Sequence, residues 1–484
     1  MKKRIAFVSI FDLTTLFYEI AVRMESEGHE IYWITTNQAW TGWLLERGIA
    51  RTRILELVYS PDDFLSAEEQ DRLMPEIVET ERSGEVTINQ ALQMDQFVMY
   101  KNKPDINDYM FLYYRDIKNF LVDNRIEQVF AEPTNSNEVI TSMLCRQLNI
   151  PFLSIRDMRI PLQRIIFNEH HLQHRIVSGS SGRPTAPGRE VIETFTRQKT
   201  TPSYFAQNSQ AKAVDPKKVV TSVGNRLSRV RFAKTNLTHH DLSGRIKLAL
   251  KRAVNGAYMR KVCKYDSFDE ITGRVCYYGL HVQPEASIDV LGSYFSDQLK
   301  LIKDIRRALP FDTTLVVKEH PNFLGIKPIS MFREIRRLPN VKLVHHDTSS
   351  FDIYQRASLV VTVSGTTAYE AGLLGIPAVV FSPMYFDGLS SVRCCADMTQ
   401  LKATIDELLN GWERDFDADC RFMDKLMEQS YPGRWGNPLT NPDLFDEDNL
   451  VNLTRACLDV VDAKAPEITH WLERETRVTL HDPA

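Results

Sequence analysis

Strand and helix signals alternate in two separate blocks of the chain, and this alternation limits the fold more than any other feature. Short apolar runs typical of buried strands, such as RIAFVSI at 4–10 and LVVTV at 359–363, are separated by stretches with helical spacing. Strands that are joined by helices form parallel, doubly wound sheets. The sequence therefore predicts an α/β fold with two Rossmann-like domains.

The interruptions of this pattern give the expected domain limits. The first block covers 1–180, and the second, more regular block covers 270–400. Between them, 181–269 opens with turn-forming residues and then becomes basic, which indicates a linker or an insertion. From 401 to 484 the pattern is mainly helical and predicts a helical tail. A chain of 484 residues is long enough for two hydrophobic cores.

Composition excludes several classes of protein. A net charge of −4 does not suit a protein that binds nucleic acid over its whole surface, so we expect no nucleic-acid partner. No apolar run reaches the ~18 residues of a membrane span. The seven cysteines are scattered without a CxxC pair, which favours neither disulfides nor zinc. Asp12 interrupts the apolar start, so we interpret this segment as a strand and expect a cytoplasmic protein.

Small and hydroxyl residues mark the start of one predicted helix in the second block. They follow the strand LVVTV, where free amides and the helix dipole favour a phosphate. Gly365 permits close approach of a ligand, and Glu370 lies one turn further, within reach of a sugar hydroxyl pair. The other residues of this candidate site are Ser364, Thr366 and Thr367. The alternative is an ordinary capped turn between strand and helix.

Two more polar loops follow strands of the same block. Ligands of open α/β sheets bind at the carboxyl ends of the strands, so three polar loops at one edge predict a binding site. His320 could bond a phosphate or assist a leaving group. The alternative is a solvated strand end. The candidates on these loops are His281, Gln283, Glu285, Lys318, Glu319, His320 and Pro321.

The segment 278–387 resembles the bacterial capsule polysaccharide biosynthesis family, which comprises GT-B glycosyltransferases related to the Kdo transferases. The resemblance rests on LHVQPEAS, VVKEHP and TVSGTTAYEAGLLGIPAVVF. It implies a nucleotide-sugar donor bound by the second domain, often a CMP-linked 2-keto sugar acid such as Kdo, and an acceptor on the first domain. It also implies that His320-Pro321 and Ser364 with Thr366 or Thr367 hold the donor phosphate, and that Glu370 contacts the ribose.

The first domain must then supply a catalytic carboxylate. Glu132 and Asp157 each follow a predicted strand and are the two candidates, with a surface or helix-capping carboxylate as the alternative for either. Arg156 and Arg159 flank Asp157 and suit a substrate carboxylate. We expect no cofactor and no metal site, since no DxD-like pair stands in a suitable place and the His170, His171 and His174 cluster lacks further ligands.

A basic segment lies between the two blocks. From 226 to 264 there are eleven Lys and Arg and one acidic residue, Asp241. Leu248, Val254 and Tyr258 stand among these cations at near-helical spacing, which is compatible with peripheral contact to the inner membrane. The alternative is a solvated helix or one that binds an acidic polysaccharide.

The sequence thus favours a metal-independent glycosyltransferase of bacterial surface polysaccharide synthesis that acts on a glycan or lipid-linked acceptor. Two alternatives remain open. The first is an epimerase or hydrolase of the same fold, similar to the UDP-N-acetylglucosamine 2-epimerases. The second is a non-catalytic protein that binds a glycan or a nucleotide.

Overall fold

The structure is a computed structural model that describes residues 2–95, 103–179, 186–198, 242–463 and 467–470. Its first sheet contains a parallel part whose strands are β1 (Arg4–Ser9), β2 (Glu30–Thr35), β3 (Ile54–Glu56), β4 (Gln128–Ala131) and β5 (Phe152–Asp157). Their spatial order is 3-2-1-4-5, the Rossmann order. Beyond β5 the sheet continues with the antiparallel strands β6 (Arg164–Glu169) and β7 (Arg175–Ser178).

The second sheet is parallel throughout its described strands. These are β8 (Arg274–Gly279), β9 (Thr313–Lys318), β10 (Val341–Val344), β11 (Ala357–Thr362), β12 (Ala378–Val380) and β13 (Val392–Cys394). Their order is β10-β9-β8-β11-β12-β13, which again is the 3-2-1-4-5-6 order of a doubly wound sheet. The expected α/β fold with two Rossmann-like domains is confirmed.

Helices cover both faces of each sheet. In the first half of the chain they are α1 (Leu13–Ser26), α2 (Gln38–Leu45), α3 (Ala67–Ser83), α4 (Ile88–Met94), α5 (Lys103–Asp123), α6 (Ser136–Gln147) and α7 (Gly188–Gln198). In the second half they are α8 (Leu242–Lys261), α9 (Ala286–Asp289), α10 (Gln298–Ala308), α11 (Ile329–Ile335), α12 (Ser350–Tyr354), α13 (Thr366–Leu373), α14 (Leu401–Asn410), α15 (Phe416–Gln429) and α16 (Glu447–Asp462).

The two domains share a hydrophobic core. Met158 and Ile160, which follow β5, are buried in the same cluster as Tyr369 and Tyr385 of the second domain. The hydroxyl of Tyr385 donates to the Met158 carbonyl at 2.8 Å, and that of Tyr369 donates to the Ile160 carbonyl at 2.8 Å. These contacts bring the carboxyl edge of the first sheet against the second domain, and the architecture is of GT-B type.

The C-terminal segment is helical over α14, α15 and α16, but it also returns to the first domain. Two short strands, β14 (Tyr431–Pro432) and β15 (Glu467–His470), pair antiparallel with β6 and β7. Helix α16 packs on α1. The predicted helical tail is therefore also a structural part of the first domain, and residues 464–466 and 471–484 of it lie outside the described residues.

Of the predicted insertion 181–269, the described residues are 186–198 and 242–269. The basic segment 226–264 is described from 242 onward and forms α8, so its first part lies outside the described residues. Among the helices that the structure describes, none is long and apolar enough to cross a membrane.

Candidate functional site

Both sheets have a topological switch point, where the strand order reverses. In the first sheet this point lies between β1 and β4, and in the second between β8 and β11. Loops that leave adjacent strands in opposite directions open a crevice there, and ligands of doubly wound sheets bind in it. Glu132 is the first residue after β4. His281 follows β8 and Ser364 follows β11, so the predicted residues lie at both switch points.

His281 joins the two loops of the second switch point. Its Nε2 accepts a hydrogen bond from the Val363 amide at 3.1 Å and lies 2.8 Å from the Thr362 hydroxyl. Burial, with the nearby positive charge of Lys327, lowers the pKa of His281 to about 3, so the ring is neutral at physiological pH. Because Nε2 is used within the protein, His281 shapes the loop.

Ser364 and Gly365 bring the loops into contact at the start of α13. The Ser364 hydroxyl donates to the carbonyl of Ser287, so its proton is used within the protein. A Cβ on Gly365 would lie 2.5 Å from the Thr362 hydroxyl oxygen and 3.3 Å from the His281 ring, so only glycine fits. Thr366 and Thr367 are partly buried in the first turn of α13, where backbone amides attract anions.

Lys318 and Glu370 form an electrostatic pair beside this turn. The Lys318 ammonium donates to the Thr348 carbonyl at 2.9 Å and to the Ser350 hydroxyl at 2.7 Å. Burial lowers the pKa of Lys318 to about 8, although Glu370 opposes this shift. Burial also raises the pKa of Glu370 to about 7, and its carboxyl accepts from Tyr354 at 2.8 Å.

A buried ion pair lies under the loop that carries His320. The Lys327 ammonium is 3.0 Å from Oε1 of Glu319, and the two side chains are 6% and 1% exposed. The same Glu319 oxygen accepts from the His320 amide at 2.8 Å, and Lys327 also donates to the His281 carbonyl at 2.6 Å. Burial and the two neighbouring lysines lower the pKa of His320 to about 4. Pro321 begins a short 3-10 turn after it.

Gln283 and Glu285 have different surroundings within one loop. Gln283 donates to Asp289 at 2.8 Å and to the Ser296 carbonyl at 2.9 Å, and it accepts from Gln298 at 2.6 Å. Its side chain therefore holds the loop in place. Glu285 is exposed and lies within electrostatic range of arginines of the first domain.

Glu132 lies at the first switch point, opposite those loops. Its Oε2 accepts a hydrogen bond from Nε1 of Trp435 at 3.0 Å. Burial raises the pKa of Glu132, while the positive charge of Arg156 opposes the shift. A carboxylate with a raised pKa and one fixed hydrogen bond is suited to accept a proton.

Arg159 is held between the two domains. Its backbone has a φ of 73°, in the left-handed region that costs energy for a residue with a side chain. The carbonyls on both sides of it, those of Met158 and Ile160, are the ones that accept from the tyrosines of the second domain. Its guanidinium lies within electrostatic range of four carboxyl groups, Glu132, Asp157, Glu285 and Glu370.

Asp157 supports Arg159, and Arg156 faces the same region. The Asp157 carboxylate accepts from the Arg159 amide at 3.2 Å, and burial raises the pKa of Asp157. The Nε of Arg156 is buried and has no hydrogen-bond partner in the described part of the protein. Burial lowers the pKa of Arg156, whereas Glu132 and Glu285 oppose this shift. The unpartnered Nε of Arg156 can therefore donate to an anion that binds there.

The structure adds residues that the sequence analysis missed. Glu138 is fully buried and accepts from the amides of Thr134 and Asn135 at 2.6 and 3.0 Å. The spacing of Asn135 and Glu138 is that of a capping box, which could have indicated this role. Nothing in the sequence pattern singled out Lys327 or Trp435, because their partners are distant in the chain.

Two clusters of histidines lie outside the switch points in the described part of the chain. In the predicted cluster at 170–174, His171 is buried, and burial lowers its pKa to about 3, so it is neutral. A second group, His345, His346 and Asp347, places one ligand atom from each residue within 4.8 Å of the others. This group follows β10 at the edge of the second sheet, two strands from the switch point.

We expect the protein to become less stable as the pH rises from 6.5 to 8. Burial raises the pKa of Glu138 and Asp387 to about 8 and that of Glu370 to about 7, so the folded protein keeps protons that the unfolded chain has lost. Histidines such as His171 and His281, whose pKa is lowered by burial, affect the pH dependence of stability only below this range. Thermal unfolding measured at both pH values tests this.

Glu138→Gln is the matched variant for this measurement, because the amide oxygen can still accept from the Thr134 and Asn135 amides. Its melting temperature should fall less between pH 6.5 and 8 than that of the parent. The prediction is wrong if the melting temperature of the parent is constant over this range. It is also wrong if the melting temperature of the variant changes with pH as that of the parent does, since Glu138 would then be ionised throughout the range.

Comparisons with other proteins show neither a family nor a substrate. No protein-family model matches the chain, and no curated protein matches it. A solved UDP-GlcNAc 2-epimerase from Methanocaldococcus jannaschii is 12% identical over 88% of this chain and 99% of its own, with a TM-score of 0.26. A KpsC β-Kdo 2,7-transferase from Thermosulfurimonas dismutans is 12% identical over 70% and 89%, with a TM-score of 0.31. A glycosyltransferase from Rickettsia africae is 10% identical over 96% and 100%, with a TM-score of 0.27.

Proposed function

We propose that this protein is a glycosyltransferase that uses a nucleotide-activated sugar. The observation that carries the proposal is the arrangement around Arg159. Glu132 at the switch point of the first sheet lies within electrostatic range of Arg156 and Arg159. From the second domain, Glu285 and the α13 residue Glu370 lie within the range of Arg159 as well. A reaction between a donor and an acceptor that are bound on opposite domains needs such an arrangement.

In this proposal the second domain binds the nucleotide. The first turn of α13, with Gly365, Thr366 and Thr367, holds the donor phosphate. Lys318 and His320 lie at the end of β9, two strands from the strand that leads into α13. Glu370 is the candidate for the ribose hydroxyls. The free backbone amides of the helix start and the nearby cations stabilise the negative charge that develops on the leaving phosphate.

The first domain then supplies the chemistry. A hydroxyl of the acceptor attacks the anomeric carbon, its proton passes to Glu132, and the bond between that carbon and the phosphate oxygen breaks with its electron pair on the phosphate. Arg156 suits the carboxylate of a 2-keto sugar acid. We accordingly propose a CMP-linked sugar acid such as CMP-Kdo as the donor and a glycan or lipid-linked acceptor of surface polysaccharide synthesis.

Nucleotide binding tests the first half of this proposal. CMP should raise the melting temperature more than UDP does, because a ligand that binds only the folded state stabilises it. Gly365→Ala should weaken binding by about tenfold or more, since the new Cβ would lie 2.5 Å from the Thr362 oxygen. The control is Gly42→Ala, where a Cβ meets nothing within 4 Å. Absence of any shift with CMP, UDP and their sugar conjugates would overturn the proposal.

An epimerase or hydrolase of the same fold is the second candidate, because it would share the α13 turn and Glu370. Incubation with UDP-GlcNAc in the absence of an acceptor separates the two activities. Inversion at C2 or release of free sugar, followed by NMR, would favour this alternative. Transfer that needs an acceptor would favour the transferase.

Transfer should continue in excess EDTA. In the proposed mechanism the α13 helix start and Lys318 neutralise the phosphate, so no divalent ion is required. The measurement is the initial rate with and without chelator. Complete loss of transfer that Mg²⁺ or Mn²⁺ restores would contradict this mechanism and would direct attention to His345, His346 and Asp347.

A further inference from the structure

Helix α8 carries an exposed aliphatic stripe. Ile246, Leu250 and Val254 are 51%, 60% and 62% exposed. They are four residues apart, and each step of four turns the helix only about 40° further than one full rotation, so the three side chains lie along one side. Large aliphatic side chains that are exposed singly are common, but a continuous row indicates a contact surface.

The opposite side of the same helix is packed against the second domain. Met259 is fully buried, and the buried Asn255 amide donates to the carbonyls of Gly325 and Lys327 at 3.2 and 2.9 Å. The backbone of α8 approaches Gly325 so closely that a Cβ there would lie 2.4 Å from the Arg252 carbonyl oxygen. The helix is therefore fixed, and its aliphatic stripe faces away from the protein.

Cations surround the stripe. From 242 to 264 the chain has no acidic residue. Six of its cations are exposed. Lys247, Lys251, Arg260 and Lys261 flank or extend the stripe, whereas Arg252 lies on the packed side and Lys264 follows the helix. Such a face combines aliphatic side chains with positive charge in the way that suits the interface of an anionic lipid bilayer.

We propose that α8 lies flat on an anionic bilayer and inserts Ile246, Leu250 and Val254 among the acyl chains while its cations contact the lipid headgroups. An acidic polymer would account for the cations but not for the aliphatic row. The residues of the stripe differ from those that the sequence pattern suggested, because Leu248 and Tyr258 are only partly exposed. Of the predicted set, Val254 belongs to the stripe.

This surface does not depend on the reaction that the protein catalyses. It is nevertheless joined to the nucleotide loops, because Asn255 bonds the Lys327 carbonyl and the Lys327 ammonium bonds Glu319 and the His281 carbonyl. A bilayer that holds α8 therefore also holds this loop close to its surface.

Sedimentation with lipid vesicles tests the proposal. The full chain should bind vesicles of phosphatidylcholine with phosphatidylglycerol, bind pure phosphatidylcholine weakly, and lose affinity as salt rises. The triple variant Ile246→Ser, Leu250→Ser, Val254→Ser should bind anionic vesicles with an affinity that is lower by about tenfold or more. Its melting temperature should match that of the parent, because the three side chains are exposed.

Phe311→Ser is the matched control, since Phe311 is 93% exposed on another surface and its loss should leave vesicle binding unchanged. Polyglutamate serves as an acidic polymer without acyl chains. A parent protein that does not bind anionic vesicles, whether or not it binds polyglutamate, overturns the proposal. So does a triple variant that sediments with vesicles as the parent does.

Discussion

Glu132→Gln should lower the turnover number of sugar transfer by roughly two to four orders of magnitude. The amide keeps the size of the side chain, and its oxygen can still accept from Trp435, so the fold and this hydrogen bond should persist. It cannot take the proton of the acceptor hydroxyl. Nucleotide affinity should change little, because the proposed phosphate contacts lie on the other domain. Steady-state kinetics and a nucleotide titration measure the two effects separately.

The matched control for this variant is a carboxylate at the other end of β4. Glu127 precedes β4 and accepts from the Arg4 amide at 3.0 Å, so Glu127→Gln removes the same charge far from the switch point. It should retain the activity of the parent. If Glu132→Gln transfers sugar at the parent rate, the base is another group, and Asp157→Asn becomes the variant to measure.

Lys327→Met should destabilise the protein by about 3–5 kcal/mol, because it leaves Glu319 buried without its partner. The ion pair is almost completely excluded from solvent, and Lys327 also supplies a hydrogen bond to the His281 carbonyl. Chemical unfolding, followed by fluorescence, gives the change in the free energy of unfolding. The second domain should be the part affected, since both residues lie in it.

An exposed ion pair provides the comparison. Lys342 and Asp266 are 3.1 Å apart with side chains 47% and 32% exposed, so Lys342→Met should cost about 1 kcal/mol or less. The double variant Glu319→Gln, Lys327→Met should recover part of the loss, because no buried charge then lacks a partner. A Lys327→Met protein as stable as Lys342→Met would show that the pair at Glu319 is solvated.

Most of the parallel part of both sheets could be predicted from the sequence, because a buried parallel strand is a continuous apolar run that alternates with helices. RIAFVS in β1 and ASLVVT in β11 are such runs. The three-residue edge strands β3 and β13 were not predicted. The antiparallel strands β6 and β7 were not predicted. Their pairing follows from a tight return of the chain after β5, and the short run RIIFNE resembles any other partly apolar segment.

The candidate site was predicted in outline and not in its contacts. Polar residues at strand ends, such as Glu132 and Lys318, could be found because the fold brings strand ends together. The sequence did not show that Ser364 and Gln283 bond within the protein, because Ser287 and Ser296 reach them only through loop folding. Nor did it show that Arg159 is held from both sides by tyrosines of the other domain.

The return of the chain from the second domain to the first has a consequence for biosynthesis. The described strands of the second sheet lie between 274 and 394. Trp435 and β14, which contact Glu132 and β6, come later in the chain. On the ribosome, the second domain has the sequence of its whole sheet before the first domain obtains the indole that bonds Glu132. The nascent chain can thus fold its second domain before the surroundings of Glu132 are complete.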